Sequence, residues 1–308
     1  MTFRATFFLV SVLALVSCQQ RTEVSTTTGA IRIECDETVE PLIRVIADDF
    51  MRTYPASEVT VVPTSLQAAI VDFINDSTQM IATDRPLSDK EAAISKEAGF
   101  EYRSYHIAID AVAVIVNKAN PVAELRVSEL DSILTGLIYR WRPWGGKLLP
   151  IQLALGTEHS ATTQIVQDSL MGGKGFSSAA MFFGTTAEIL DFVGKNENAL
   201  GLVGLAWLHG REDEFTVVAL GDPNHPPDPS EPPGVFYTPH QAHVYRGYYP
   251  ITTKVYFYNR ELLKTVGLGL IAYTNNIQGQ KLVQSYGLVP ATIPVRLVET
   301  TSTQVTAQ

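Results

Sequence analysis

Two hydrophobic patterns alternate along the first part of the chain. Apolar and polar residues alternate over residues 30–35, which predicts a strand. Apolar residues then recur at spacings of three and four over residues 39–54, which predicts a helix. Asp36, Glu37 and Thr38 lie between the two and have the composition of a helix cap. The segment therefore predicts a strand, a polar turn and a helix.

The same order recurs twice. Residues 59–62 predict a second strand, which Pro63, Thr64 and Ser65 separate from a helix at residues 66–75. A third strand at residues 80–82 ends on a turn of residues 83–86, and a helix with capping-box spacing follows at residues 88–91. Repeated units of this kind predict an α/β fold with a largely parallel sheet, in which ligands bind at the carboxyl ends of strands.

The pattern changes after a long apolar strand predicted at residues 105–116. The later predicted elements are a helix at 128–136, an aromatic loop at 139–146, a strand at 149–155, helices at 163–170 and 185–193, strands at 199–208 and 249–258, helices at 262–273 and 278–285, and an extended tail at 290–298. Trp141 and Trp144 in the aromatic loop are expected to pack rather than to bind a ligand.

We expect two lobes. The first lobe comprises residues 30–115 and 249–300, and the second comprises residues 116–248 with a proline-rich loop at 221–240. Residues 301–308 form a tail.

The N-terminus has the pattern of an export signal. Arg4 precedes an apolar run at residues 7–16, which is too short to favour a membrane span, and small residues lead to Cys18. This ending resembles a lipobox, so we expect residues 1–17 to be removed and Cys18 to carry a lipid. Residues 18–29 then form a flexible tether. The expected location is the periplasm or cell envelope, with the protein anchored to a membrane.

The composition limits the classes of function that are open to the chain. The chain has 308 residues, 45% of them hydrophobic, which is enough for a large core. Its net charge of −9 and its lack of a basic run argue against a nucleic-acid partner. With Cys18 lipidated, Cys35 has no disulfide partner; a buried small hydrophobe is favoured over a reactive thiol.

One polar turn has the features of an anion site. Residues 156–162 (GTEHSAT) follow a predicted strand and precede a predicted helix. A helix N-terminus presents backbone N–H groups that bind anions, and hydroxyl groups add donors. The alternative is an ordinary cap in which Ser160 or Thr162 serves its own helix. The turns at Thr38, at Thr64 and Ser65, and at residues 83–84 would meet this one if two lobes closed over a cleft.

Several short motifs together resemble the phosphate-binding proteins that feed ABC transporters, and among them lipoprotein members of Bacteroidota-type bacteria. The motifs are GLIYRW at 136–141, SATT at 160–163, YPI at 249–251, GQKLV at 279–283 and GLVP at 287–290. The resemblance spans residues 31–298. It implies a two-lobed, type II periplasmic-binding-protein fold that closes on a dehydrated oxyanion, with each lobe a mixed, mostly parallel sheet flanked by helices.

The resemblance also implies the site. The ligand-binding residues would be Thr38, Val39, Thr64, Ser65, Asp84, Arg85, Ser160, Ala161 and Thr162. In the family, the aspartate at the position of Asp84 accepts a proton from the ligand, which favours phosphate over sulfate. The last turn of the family carries an arginine where this chain has Gly156. Arg85 or a protonated His159 would have to replace that charge, and Ala161 stands where the family has glycine.

The resulting hypothesis is a lipid-anchored solute-binding protein, expected to be a monomer, that captures phosphate or a related oxyanion for an ABC permease. The main alternative is a binding fold that has lost its ligand and docks a partner at the cell surface. An enzyme with Ser160 or Ser65 as nucleophile and His159 or His106 as base is disfavoured, because no nucleophile-elbow motif is present. A metal site at His225, His240 and His243 is disfavoured as well, and no cofactor is expected.

Overall fold

The computed structural model describes residues 24–146, 149–222, 234–261 and 264–292. The predicted signal peptide, the lipidated Cys18, most of the proline-rich loop and most of the extended tail lie outside the described residues. In the part that is described, no helix is both long enough and apolar enough to cross a membrane.

Strands and helices alternate through the described chain. The strands are β1 (Gly29–Asp36), β2 (Ser57–Thr64), β3 (Met80–Thr83), β4 (Arg103–Asn117), β5 (Glu124–Arg126), β6 (Gln152–Gly156), β7 (Met181–Phe183), β8 (Ala199–Gly204), β9 (Phe215–Val217), β10 (Ala219–Gly221), β11 (Thr252–Asn259) and β12 (Val289–Pro290). The helices are α1 (Glu40–Thr53), α2 (Leu66–Ile74), α3 (Asp89–Glu97), α4 (Val127–Leu134), α5 (Ala161–Ser169), α6 (Thr186–Lys195), α7 (Gln241–Tyr245), α8 (Val266–Thr274) and α9 (Ile277–Ser285). Short 3-10 turns lie at Glu37–Val39, Arg142–Trp144 and Leu205–Leu208.

A single mixed sheet organises the molecule. Its strand order is β2-β1-β3-β11-β4-β8-β6-β7, and β9 and β12 also pair with β4. Strand β1 is parallel to β2 and β3, and β6 is parallel to β7 and β8, whereas β4 and β11 pair antiparallel with their neighbours. Strands β5 and β10 form a separate parallel pair.

Strand β4 joins two halves of this sheet. Its residues 103–111 pair with β11, and its residues 112–116 pair with β8. We call β1, β2, β3, β11 and residues 103–111 the first half, and β6, β7, β8, β9 and residues 112–117 the second half. Because the apolar run of β4 is buried from Ala111 to Val116, the core is continuous across the junction.

The helices cover the sheet with their apolar faces. Helix α1 shows the pattern most clearly, since it buries Leu42, Ile43, Ile46, Ala47 and Phe50 at helical spacing against the core. Its N-terminus follows the 3-10 turn Glu37–Val39 directly, so the buried face of α1 fixes where that turn lies. The predicted α/β architecture with helices around a mixed sheet is confirmed.

Several predicted bounds need correction. Helix α8 begins at Val266 and strand β11 at Thr252, each later than predicted. Strand β6 begins at Gln152, because Leu149 is 52% exposed and does not pair in the sheet. The strand predicted at residues 199–208 ends at Gly204 and continues as a 3-10 turn. Helix α5 begins at Ala161, two residues earlier than predicted, because Ser160 is its cap.

Two predictions about buried side chains are confirmed. Trp141 is buried and its ring meets that of Trp144 at a centroid distance of 5.9 Å, so the aromatic loop packs. Cys35 is buried and free of any disulfide. Burial raises the pKa of the Cys35 thiol above its ordinary value, and neighbouring Glu40 and Asp36 raise it further, which keeps the thiol protonated.

Candidate functional site

The turn between β6 and α5 is held by a chain of hydroxyl groups. Ser160 Oγ accepts from Thr163 N at 3.3 Å and donates to Thr163 Oγ1 at 2.9 Å. Thr163 Oγ1 donates in turn to the carbonyl oxygen of Gly156 at 3.0 Å. Ser160 is thus the cap of α5, as the alternative interpretation had it, and the helix N-terminus is fixed relative to the end of β6. His159 is exposed beside this turn.

Gly156 occupies a position with no room for a side chain. A Cβ atom placed there would lie 2.4 Å from Ser160 Oγ and 3.0 Å from Ser160 Cβ. Any larger residue would therefore displace Ser160 from its capping position. This packing gives a physical reason why the chain has glycine at position 156, where the family that it resembles has arginine.

Ala161 does not strain the turn. Glycine in a turn can adopt a positive φ that alanine disfavours, but Ala161 is the first residue of α5 and is not one of the described residues with positive φ. Ala161 and Thr162 are buried in the first turn of the helix, where backbone N–H groups lack intrahelical acceptors.

The first predicted binding turn lies against the second half of the sheet. Asp36 Oδ1 accepts from Thr38 N at 3.0 Å and so caps the 3-10 turn, and both Thr38 and Val39 are buried. A Cβ atom placed on Gly204, at the end of β8, would lie 2.9 Å from Thr38 Cγ2. The glycine therefore allows β8 to approach Thr38 closely. This contact brings the turn after β1 to the end of a strand in the other half.

The turn after β2 meets the turn after β6. Ser65 caps α2, since its Oγ accepts from Ala68 N at 3.2 Å, and its side chain is exposed, while Thr64 is half-buried. Ala161 shares a buried apolar cluster with first-half residues that include Leu66 of α2. The predicted turns at Thr64 and Ser65 and at residues 160–162 are thus neighbours across the two halves.

Asp84 follows the third strand and is almost completely buried. Neither of its carboxylate oxygens has a hydrogen-bond partner in the part of the chain that the structure describes. Burial raises the pKa of Asp84 well above its ordinary value, and nearby Asp110 and Asp36 raise it further. A buried, unpartnered carboxyl group is costly, so this group is positioned to bind something that donates a proton or a hydrogen bond to it.

Arg85 has partners already. Its guanidinium donates to both carboxylate oxygens of Glu91, at 2.8 and 2.9 Å, and to the carbonyl oxygen of Pro86 at 2.8 Å. Its Nε lies 3.4 Å from Gln164 Oε1 of α5, which links the third turn to the second half. The hydrogen bonds with Glu91 raise the pKa of Arg85 above its ordinary value. The sequence placed Arg85 among the candidate ligand-binding residues, and it did not predict the pairing of Arg85 with Glu91.

Asp110 is a site residue that the sequence reasoning missed. It is fully buried at the junction in β4, where Oδ1 accepts from Ala111 N at 2.7 Å and from Leu205 N at 3.3 Å. Its Oδ2 has no partner and would lie 3.2 Å from a Cβ placed on Gly204. The signal was a carboxylate that interrupts an otherwise apolar strand.

Three carboxyl groups thus lie at one place between the halves, namely those of Asp36, Asp84 and Asp110. Burial raises the pKa of Asp36 to about 6 and that of Asp110 to about 7, against the hydrogen bonds that each accepts from backbone N–H groups. Among the described residues, no three His, Cys, Asp or Glu side chains are grouped so that they could hold a metal ion. The arrangement therefore suits a ligand that brings acidic protons and accepts hydrogen bonds from helix N-termini.

Contacts link predicted turns to the opposite half of the sheet: Thr38 lies close to Gly204, Ala161 shares a cluster with Leu66, and Arg85 lies next to Gln164. A family model described as a PBP superfamily domain matches residues 21–274. The chain belongs to the PBP superfamily.

Relatives of known sequence share this assignment. The phosphate-binding protein PstS of Staphylococcus epidermidis is 22% identical over 238 residues, which cover 76% of this chain and 69% of that protein. Protein SphX of Synechococcus elongatus is 21% identical over 246 residues, which cover 78% of this chain and 70% of SphX.

Solved structures share the fold. A putative phosphate ABC transporter substrate-binding protein with bound phosphate from Clostridium perfringens superposes with a TM-score of 0.72 at 22% identity, covering 85% of this chain and 99% of that one. An ABC-type phosphate transport receptor from Vibrio cholerae gives a TM-score of 0.63 at 19% identity, covering 85% of this chain and all of the other. The predicted periplasmic-binding-protein fold is confirmed.

Proposed function

We propose that this protein is an extracytoplasmic solute-binding protein that captures inorganic phosphate, or a closely related oxyanion, for an ABC transporter. The observation that carries the proposal is Asp84, a buried carboxyl group that has no hydrogen-bond partner among the described residues and lies near Asp36 and Asp110. The relative PstS, which is named as a phosphate-binding protein, and the phosphate-bound structure from Clostridium perfringens support the same ligand.

The proposed contacts follow from the donors in the four turns. The ligand oxygens would accept hydrogen bonds from the turns that contain Thr38, Val39, Thr64, Ser65, Ser160, Ala161 and Thr162. Each charge-assisted hydrogen bond to an anion contributes about 1.5 to 3 kcal/mol net, so a set of such bonds is sufficient for tight binding.

Asp84 would provide selectivity. In the complex Asp84 would be ionised, so that its oxygens accept a hydrogen bond from a protonated oxyanion, whereas a fully deprotonated sulfate would place two negative groups in contact. Phosphate carries one or two acidic protons near neutral pH and can meet this requirement. The three carboxyl groups of the site favour a ligand that arrives protonated.

Arg85 is the proposed source of positive charge. Its guanidinium is bound by Glu91, and its charge acts to lower the pKa of Asp36 at the site. It takes over part of the role of the family arginine, which Gly156 cannot supply. We propose that Arg85 contacts the ligand from the side of the third turn, next to Gln164.

The cellular setting is part of the proposal. A lipid on Cys18 would anchor a monomer outside the cytoplasm, residues 18–29 would act as the tether, and an ABC permease would accept the ligand. The two lobes would have the boundaries expected from the sequence, with residues 30–115 and 249–300 forming one lobe and residues 116–248 the other. No catalytic step is included, since the relatives that support the proposal are named as binding proteins.

The main alternative is a docking protein that has lost its ligand. It is favoured by two observations, the lack of room for a side chain at Gly156 and the pairing of Arg85 with Glu91. In that case the buried carboxyl groups would remain protonated and the cleft would stay empty.

Isothermal titration of the purified protein with phosphate at pH 7 distinguishes these functions. The proposal predicts saturable binding that sulfate does not reproduce at the same concentration. A matched variant, Asp84→Asn, retains the size of the side chain and removes the carboxylate, and we expect it to lose discrimination against sulfate. The absence of heat and of any thermal stabilisation at millimolar phosphate, sulfate and molybdate would contradict an oxyanion function.

A further inference from the structure

Glu37 connects the first binding turn to the opposite half of the molecule. Its Oε1 accepts from the backbone N of Thr186 at 2.8 Å, and its Oε2 accepts from Thr186 Oγ1 at 2.7 Å. Its carbonyl oxygen accepts from Trp207 Nε1 at 3.0 Å. Glu37 follows β1 in the first half, whereas Thr186 opens α6 and Trp207 follows β8 in the second half. One residue thus makes three hydrogen bonds between the two halves.

The N-terminus of α6 has a backbone N–H group that lacks an acceptor within its own helix, and the carboxylate of Glu37 accepts from it. Thr185 is the cap, and its Oγ1 accepts from Glu188 N at 3.3 Å. Glu188 Oε2 accepts in return from the N–H groups of Thr185 and Gly184, at 3.1 and 2.9 Å. The capping box leaves the N–H of Thr186, the first helical residue, to a partner from outside the helix. A carboxylate is favoured there because the helix dipole is positive at its N-terminus.

The same residue lies directly beside Thr38. Asp36 holds the N–H of Thr38 from within the first half, and Glu37 holds the turn from the second half. The turn Glu37–Val39 is therefore fixed on both sides only while the two halves are together. If the halves separate, the contacts to Thr186 and Trp207 must break, and the turn loses one of its two supports.

We propose that Glu37 is a positioning residue that latches the two lobes together and thereby couples lobe closure to the formation of the first anion-binding turn. The role of the turn in binding rests on the proposed function, whereas the latch itself rests on the contacts between the halves. The latch slows the release of the ligand, because it must open before the cleft can open.

The charges around Glu37 make the latch sensitive to pH. Burial raises the pKa of Glu37 to about 7 against the two hydrogen bonds from Thr186, and Asp36 and Glu40 raise it further. From α6 the nearby charged group is Glu188, which binds N–H groups of its own helix. The 3-10 turn Leu205–Leu208 carries no charged residue. A protonated Glu37 still accepts from Thr186 N with its carbonyl oxygen and can donate to Thr186 Oγ1. Because the pKa of Glu37 is higher in the latched state than its ordinary value of 4.5, the latch strengthens as the pH falls from about 7 towards that value.

Stopped-flow kinetics of the full-length protein test this role, with phosphate as the probe and tryptophan fluorescence as the signal. For Glu37→Ala we expect the dissociation rate constant to rise at least tenfold, with the association rate constant changed less than threefold. Glu37→Gln should recover most of the slow dissociation of the wild type, because the amide oxygen accepts from Thr186 N and the amide group donates to Thr186 Oγ1. A matched control is Glu40→Gln, since Glu40 pairs with Arg44 on its own helix. A dissociation rate in Glu37→Ala equal to that of the wild type would overturn the proposal, as would a Gln variant no better than Ala.

A second measurement does not depend on phosphate. In the ligand-free protein the backbone amide of Thr186 should exchange with deuterium at least tenfold faster in Glu37→Ala than in the wild type and in Glu40→Gln. Unchanged exchange at Thr186 would overturn the latch. If the wild type does not bind phosphate, the proposed function fails, and this exchange experiment still decides the latch.

Discussion

Asp110→Asn tests whether the carboxyl groups of the site are held in a protonated state. Asp110 is fully buried, one of its oxygens accepts two backbone hydrogen bonds, and the other has no partner. Asparagine has the same shape and its amide oxygen can accept the same two bonds. The substitution therefore removes the ability to ionise and leaves the packing unchanged.

The expected effect depends on pH, and its sign follows from the pKa. The carboxyl group has an ordinary pKa of 3.8, and burial raises the pKa of Asp110 to about 7 in the folded protein. Between these values the folded protein holds the proton and the unfolded chain releases it. The free energy of unfolding therefore falls as the pH rises from about 4 to about 7, by at most about 4 kcal/mol for this group.

The variant should be less stable than the wild type at low pH and more stable at high pH. Asparagine does not ionise, but its amide group replaces an oxygen that had no partner, which costs about 1 to 3 kcal/mol. We expect Asp110→Asn to be less stable than the wild type by that amount only below about pH 4, and to gain about 1.4 kcal/mol relative to the wild type for each pH unit between about 4 and 7. At pH 8 the variant avoids the cost of ionisation and should be more stable than the wild type by about 1 to 3 kcal/mol.

Urea unfolding of the phosphate-free protein at pH 5, 6, 7 and 8, followed by tryptophan fluorescence, measures this difference. Asp213→Asn provides the control, because Asp213 is exposed and its substitution should leave the difference from the wild type independent of pH. If the difference between Asp110→Asn and the wild type were also constant from pH 5 to pH 8, the idea of a protonated carboxyl group at this junction would be refuted.

Two further predictions concern the turn between β6 and α5. Ser160→Ala should weaken phosphate binding at least tenfold, since it removes the cap of α5 and a proposed donor to the ligand. Ser169→Ala at the other end of the helix is the control, and equal affinities in titration would remove this turn from the site. Gly156→Ala should lower the thermal unfolding midpoint and weaken binding, because the added Cβ meets Ser160 Oγ at 2.4 Å. Gly175→Ala, where an added Cβ meets nothing within 4 Å, should change neither, and a Gly156→Ala protein with wild-type affinity would contradict the packing argument.

Much of the fold could be predicted because its local patterns and its packing agree. The alternation in β1 and the helical spacing in α1 each match one buried face, so their bounds were predicted to within a residue or two. Errors arose where an apolar pattern did not correspond to burial in the sheet. Leu149 continues the alternation of β6 but is exposed, and Leu205 continues β8 in composition but belongs to a 3-10 turn.

The site could be predicted only in part. Capping residues such as Ser65 and Ser160 are recognisable from local spacing, and the order of the turns indicated that they meet. The pairing of Arg85 with Glu91 and the reach of Glu37 to Thr186 depend on side-chain geometry and on contacts between distant segments. No local pattern encodes such contacts.

The proposed phosphate site is tested most directly by crystal structures of the protein. One structure comes from crystals grown with phosphate and the other from crystals grown without it. If the proposed phosphate site is correct, tetrahedral density should lie between the turns at Thr38, Ser65, Asp84 and Ser160, with one ligand oxygen within hydrogen-bond distance of an Asp84 carboxylate oxygen. A cleft without such density at millimolar phosphate, or phosphate bound only away from these four turns, would contradict the central claim.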